Sequence, residues 1–244
     1  MYGNQSKQLT DDELIVRRVK KQRSKLFGCA PGAHQLMGFL PIIVSDQIAT
    51  FATDGKVILV NRIFAESLGD LNIRGIIIHE SLHIGFKHHI RLAIWMKRCG
   101  LSEEDAHEIW NEGSDYVING GIKKSVNYGI DFTLPPDVLW HDVYSTCGWP
   151  VEKICNDMLR KGWKPKPKKP PGGGGGGDPT DHGCGEILVP KEMEGDSKEA
   201  KDAIEKESQD INRRVAEAAM LERQVGSGKG TMFDKIFKST GKTT

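Results

Sequence analysis

Long apolar runs are missing from this sequence. Stretches such as Ile76–Ile78 fall far short of the roughly 20 residues that a membrane-spanning helix needs. Residues 1–26 are polar and charged, with no apolar core of a signal peptide after Met1, so a cytoplasmic protein with no membrane contact is expected. An excess of one charge is missing as well. Thirty-four Lys and Arg stand against 33 Asp and Glu, and the net charge of +1 gives no overall field to gather nucleic acid or a membrane surface. The five cysteines are scattered and form no CxxC pair or disulfide framework, which reads as reduced, mostly buried thiols. Apolar residues make up only 38% of the 244, which is low for one compact globule and predicts a packed part joined to a poorly packed one.

The chain divides accordingly. Thr10 followed by Asp11, Asp12 and Glu13 has the form of a helix start, and that helix is expected to reach about Leu26. Residues 36–60 are β-rich, and Asp54-Gly55 marks a hairpin whose last strand is Val57-Ile58-Leu59-Val60. Ile73 to Trp95 is apolar and free of proline, which predicts one long buried helix. Ser102 before Glu103, Glu104 and Asp105 caps another, reaching about Ile122, and Pro150 opens a short helix to Leu159. Lys/Pro alternation and six consecutive glycines over 164–178 allow no packed core and mark a linker. A domain over 1–163 and a C-terminal segment over 179–244 are therefore expected. That segment carries a charged helix near 197–225, whose weak apolar stripe suits docking on the main domain or on a protein partner.

The chemistry concentrates in His79-Glu80-Ser81-Leu82-His83. Histidines four apart on a helix share one face, so their ring nitrogens can converge on one Zn²⁺. Glu80 then projects toward the open coordination position as the catalytic carboxylate. The setting sharpens the signal, because the motif follows three isoleucines on an apolar helix where isolated charges are costly. Val57, Ile58, Leu59 and Val60 are expected to form an edge strand that holds an extended peptide substrate by strand addition.

Two histidines need a third protein ligand. His89 has the spacing from His83 of a third histidine, but Phe86 stands where the intervening turn needs glycine. His88 would point away from the pair on a continuous helix, as a supporting or surface group. The next helix offers better candidates. Asn111, Asp115 and Asn119, spaced by four, share a face, and Asp115 can reach the metal from it; Glu112 is the rival.

In these blocks the sequence resembles a known family, the putative metallopeptidase domain often found N-terminal to a von Willebrand A-like domain in bacterial and phage proteins. The matching residues are Ala52–Lys56 through Asn61, the His79–His83 motif with His88 and Arg91, and Trp110-Asn111 with Asp115 and Ile118-Asn119. Leu134-Pro135, Asp142, Tyr144 and the helix starting at Val151-Glu152 continue the match. The resemblance implies an α+β, zincin-like fold, with a small mixed or antiparallel sheet packed on an active-site helix and further helices. It also implies zinc, peptidase activity, Asp115 as the third ligand, and inclusion of His182-Gly183 in the domain. No von Willebrand A-like pattern follows in this sequence, a short form that would fit a phage protein.

Three functions compete at this level. The first is a zinc-dependent endopeptidase acting on protein or peptide substrates. The second is a catalytically silent zincin-fold binding or scaffold protein. The third is a DNA-associated, SprT-like protease, for which the support is the basic stretch around Arg160, Lys161, Trp163 and Lys164, a weaker basis than the zinc motif. His182 or Cys184, carried on a tether, could fill the fourth coordination position and hold the enzyme latent; structural packing of Asp181–Ile187 near the cleft is the plainer expectation.

Overall fold

The structure is a computed structural model, described here for residues 9–125, 127–165 and 185–225. It is an α+β arrangement, mostly helical, with a small mixed sheet. Helix α1 (Asp11–Cys29) starts at a reciprocal cap: Thr10 Oγ1 accepts from the Glu13 amide, and the Glu13 carboxylate accepts from the Thr10 amide. A short helix α2 (Pro31–Met37) follows, with proline at its first position.

Three short strands come next, β1 (Ile42–Val44), β2 (Phe51–Thr53) and β3 (Ile58–Val60). The turn between β2 and β3 is built on Asp54, whose carboxylate accepts from the Lys56 and Val57 amides, and on Gly55 at φ +85°. The fourth strand, β4 (Gly185–Ile187), arrives from far along the chain, and the sheet order is β1-β3-β2-β4. Strand β3 pairs parallel with β1 and antiparallel with β2. The edge strand expected at Val57–Val60 is therefore corrected. Val57 lies just before β3, and Ile58, Leu59 and Val60 sit inside the sheet with both sides hydrogen-bonded, so no peptide can add there. The sequence conceals this because β1 and β4 are three residues each, too short for an alternation pattern to announce.

After a helical turn α3 (Arg62–Ser67) come α4 (Asp70–Gly85) and α5 (His88–Cys99), not one continuous helix. Lys87 takes a left-handed conformation (φ 55°, ψ 39°) between them. This is a strained choice for a residue with a Cβ, costing roughly 1–2 kcal/mol. Helix α4 is buried over nearly its whole circumference from Ile73 onward, consistent with its unbroken apolar character. Helix α6 (Glu103–Lys123) is capped by Ser102, whose Oγ accepts from the Asp105 amide, and α7 (Val151–Arg160) follows a long loop.

Two apolar clusters hold these elements. One gathers Phe51, Ile58, Ile76, Ile77, Ile78 and Leu82 with α1 and α2, and the other gathers Trp95, Ile109, Trp110, Ile154 and Ile187. Each fully buried isoleucine or tryptophan contributes on the order of 2–3 kcal/mol by leaving water. Helix α4 packs within the first cluster, and α6 contributes to both. The last helix, α8 (Lys198–Val225), lays Ile211 and Ala218 into the first cluster, with Ala203, Ile204 and Val215 beside them. Arg214 fastens it by donating to Leu36 O at 2.7 Å and Gly55 O at 3.3 Å. The apolar stripe expected on this helix thus faces the chain's own core. Most of the expected linker, and Asp181, His182 and Cys184, lie outside the described residues.

Candidate metal centre

Helix α4 presents His79 and His83 one turn apart, and α6 presents Asp115 opposite them. His79 Nε2 and His83 Nε2 stand 2.8 Å apart, and Asp115 Oδ1 is 3.2 Å from the first and 3.3 Å from the second. All three side chains are at most 3% exposed. These are the only His, Cys, Asp or Glu residues among those described that form a group of three able to hold a metal ion. Tetrahedral bonds of about 2.0–2.1 Å place neighbouring ligand atoms roughly 3.3–3.4 Å apart. Both Asp115 distances match that closely, and the two imidazoles need to part by about half an ångström to admit the ion. Two imidazoles and a carboxylate are also a donor set that such ions favour.

Charge balance supports the same fit. Burial alone would push the His79 imidazole down, yet the charge and hydrogen bond of Asp115, with the Glu80 charge behind them, leave its pKa raised. Burial would likewise push the Asp115 carboxyl up, but His79 and His83 hold it below the ordinary range. The cluster thus favours an imidazolium–carboxylate pair, and a metal cation can take the place of that proton. His83 is pushed down to about 4, by burial first, against the hydrogen bond its protonated ring gives to Asp115. Glu80 follows His79 directly, is fully buried, and its charge is felt at the His79 ring.

The other nitrogen of each histidine is also held. Asn119 Nδ2 donates to Leu139 O at 2.9 Å, which leaves Asn119 Oδ1 to accept from His79 Nδ1 at 3.0 Å. That arrangement keeps the proton of His79 on Nδ1 and frees Nε2 for a cation. His83 Nδ1 stands 3.0 Å from His88 Nδ1, and one of the two must carry the proton between them. The sequence expectation that His88 points away from the pair assumes one continuous helix; Lys87 ends that helix and turns His88 back. The one signal of this in the sequence is Gly85 before the break. Asn119 stands out in the sequence as part of a stripe and of the family resemblance, without a stated role, and its i+4 spacing from Asp115 is what brings it to His79.

The rival ligands lie away from the triangle. Glu112 accepts from Tyr116 Oη at 2.6 Å and from Trp163 Nε1 at 2.9 Å. His89 is buried beside the Gly55 turn, and a Cβ placed on Gly55 would lie 3.5 Å from its Nε2. In the basic stretch, Arg160 and Lys161 both pair with Asp157.

Two glycines let the α6–α7 loop approach the ligand helices. A Cβ on Gly75 would stand 2.0 Å from Thr133 O, and one on Gly120 would stand 1.9 Å from Ser145 O. The same loop supplies the Leu139 carbonyl that orients Asn119. Strand β4 completes the surroundings: Ile187 is buried in the cluster around Trp110, and its amide donates to Asn111 Oδ1 on α6 at 3.3 Å.

A buried set of two imidazoles and a carboxylate on two packed helices, beside a small mixed sheet, defines a candidate mononuclear metal site in an α+β protein. A family model described as a putative metallopeptidase domain matches residues 16–238, and the chain belongs to that family. The family description implies a metal ion and a protein or peptide substrate. No match was found among curated proteins or among solved structures.

Proposed function

We propose that the protein is a zinc-dependent endopeptidase of zincin type, in which His79, His83 and Asp115 hold the ion and Glu80 is the general base. The observation that supports this is the convergence of His79 Nε2, His83 Nε2 and Asp115 Oδ1 within 3.3 Å, with Glu80 on the same turn. A bound zinc ion supplies Lewis acidity, polarising a peptide carbonyl and making water acidic enough to react near neutral pH. Glu80 takes up the proton of the attacking water and returns it to the leaving amine nitrogen. Asn119 keeps the His79 ring in register, and Asp115 balances the charge between the rings. In this reading residues 1–163 carry the catalytic groups, 164–178 join the two parts, and 179–244 supply β4 and α8.

The test is cleavage of an unfolded protein by the parent and by Glu80→Gln, each with and without a chelator. The parent is expected to cleave only with metal present. The variant is expected to bind zinc equally well and to lose on the order of 10²–10⁴-fold in rate. Equal cleavage by the variant, or cleavage that ignores the chelator, overturns the proposal.

One observation favours a second reading. His79, Glu80 and Asp115 are at most 1% exposed and His83 is 2% exposed, a burial that leaves a peptide substrate no ready approach to them. A catalytically silent binding protein with a zincin fold would show loss of structure on zinc removal and no hydrolysis of any unfolded substrate.

A further inference from the structure

We infer that His88 is a positioning residue for the metal site: its Nδ1 accepts the Nδ1 proton of His83 and so directs His83 Nε2 toward the ion. The inference rests on the zinc reading above and adds a residue to it. Residues five apart on one continuous helix point about 140° apart. Here α4 stops at Gly85, Lys87 turns left-handed, and the His88 ring returns to lie 5.1 Å from the His83 ring at 74°, with the two Nδ1 atoms 3.0 Å apart.

Only one proton fits between those atoms. With the His83 Nε2 lone pair facing the ion, the proton belongs to His83 Nδ1, His88 Nδ1 accepts it, and the His88 proton sits on Nε2. The His88 ring is fully buried, stacked on Phe86 at 5.4 Å and edge-on to Trp110 at 6.3 Å. Its Nε2 has no hydrogen-bond partner among the described residues, so the bond to His83 is the one polar contact that orients the ring.

The fold also braces the break that aims this ring. Arg91 donates to Phe86 O at 3.3 Å while gripping Glu152 of α7 with Nε at 2.8 Å and Nη2 at 2.5 Å. Lys87 Nζ donates to Ser208 Oγ of α8 at 2.9 Å. The strained residue and the Phe86 before it are thus tied to two other helices. Arg91 holds the turn in place, and the turn in place lets His88 hold the ligand.

Two variants separate this role from packing. His88→Phe keeps a ring of similar size and removes the acceptor. His88→Asn loses the ring but places Oδ1 where Nδ1 stood. Chelator-competition titration of zinc is expected to show roughly 10–100-fold weaker binding for the phenylalanine variant. The asparagine variant is expected to stay within a few-fold of the parent. Nitrogen-15 spectra of the zinc-free proteins are expected to place the His83 proton on Nδ1 in the parent and the asparagine variant, and on both nitrogens in the phenylalanine variant. Thermal melts of all three zinc-free proteins establish that each is folded. Parent-like zinc affinity in His88→Phe overturns the inference, and so does an asparagine variant as weak as the phenylalanine one. A parent that binds no zinc would sink the metal reading, while the proton position on His83 still decides the hydrogen bond to His88.

Discussion

Each imidazole of the pair turns Nε2 to the centre and gives Nδ1 to a partner in the fold. For His79 that partner is Asn119, itself oriented by Leu139 O. Asn119→Leu keeps the side-chain shape and removes both bonds. Zinc affinity is expected to fall about 10–100-fold, as for loss of other groups that orient metal ligands, and competition with a chromogenic chelator measures it. Much at this scale is legible in the sequence. Spacing alone puts His79 and His83 on one helical face, because a turn is 3.6 residues. Asp115 emerges from the stripe it shares with Asn111 and Asn119, and the family resemblance favours it over Glu112. The Nδ1 partners are not legible: Asn119 is chosen by how α6 packs on α4, and His88 by a backbone reversal that no proline announces.

Among the elements, α4 and α6 are set by close backbone approaches. Gly75→Ala and Gly120→Ala each force a methyl to about 2 Å from a loop carbonyl oxygen, so the loop must retreat from the ligand helices. A loss of about 1–3 kcal/mol is expected in urea unfolding for each. Gly28→Ala, with nothing within 4 Å of the new Cβ, is expected to be neutral or to stabilise by up to about 1 kcal/mol. Helix α7 has a pH-dependent tie. Asp157 is pulled down from 3.8 to about 2, first by hydrogen bonds from Lys161 and the Tyr144 hydroxyl, then by one from Arg160. A carboxylate depressed by folding stabilises the fold above its unfolded pKa, and the contribution is lost as pH falls through the folded one. Parent and Asp157→Asn should therefore differ in stability at pH 7 and converge between pH 3.8 and about 2, as denaturant titrations across pH would record. The capped starts of α1 and α6 are legible from Thr10 and Ser102, whereas the four-strand order is not, because strands of three residues carry too little periodicity.

Over the whole molecule, the candidate metal centre lies between α4, which packs in the first apolar cluster, and α6, which contributes to both. Ion binding and folding are then linked. Free zinc at 1,000 times its dissociation constant is expected to raise stability by about 4 kcal/mol. The rise should be visible in thermal melts, reversed by chelator, and absent in a His79→Ala/His83→Ala double variant. No helix among the described residues is long and apolar enough to cross a membrane. Strand β4 adds a matter of timing. Its partner β2 ends at Thr53 and the ligand helix α6 at Lys123, but β4 ends only at Ile187. A ribosome adding about 5–20 residues per second makes those last 64 residues in roughly 3–13 s. During that interval the residues of both helices have been made while the edge of β2 is still unpaired, and an ion would meet a less complete shell around His79, His83 and Asp115. Zinc present during refolding should therefore be taken up faster than zinc offered to the finished, metal-free protein; equal uptake rates in a stopped-flow comparison would show that the completed fold is no barrier.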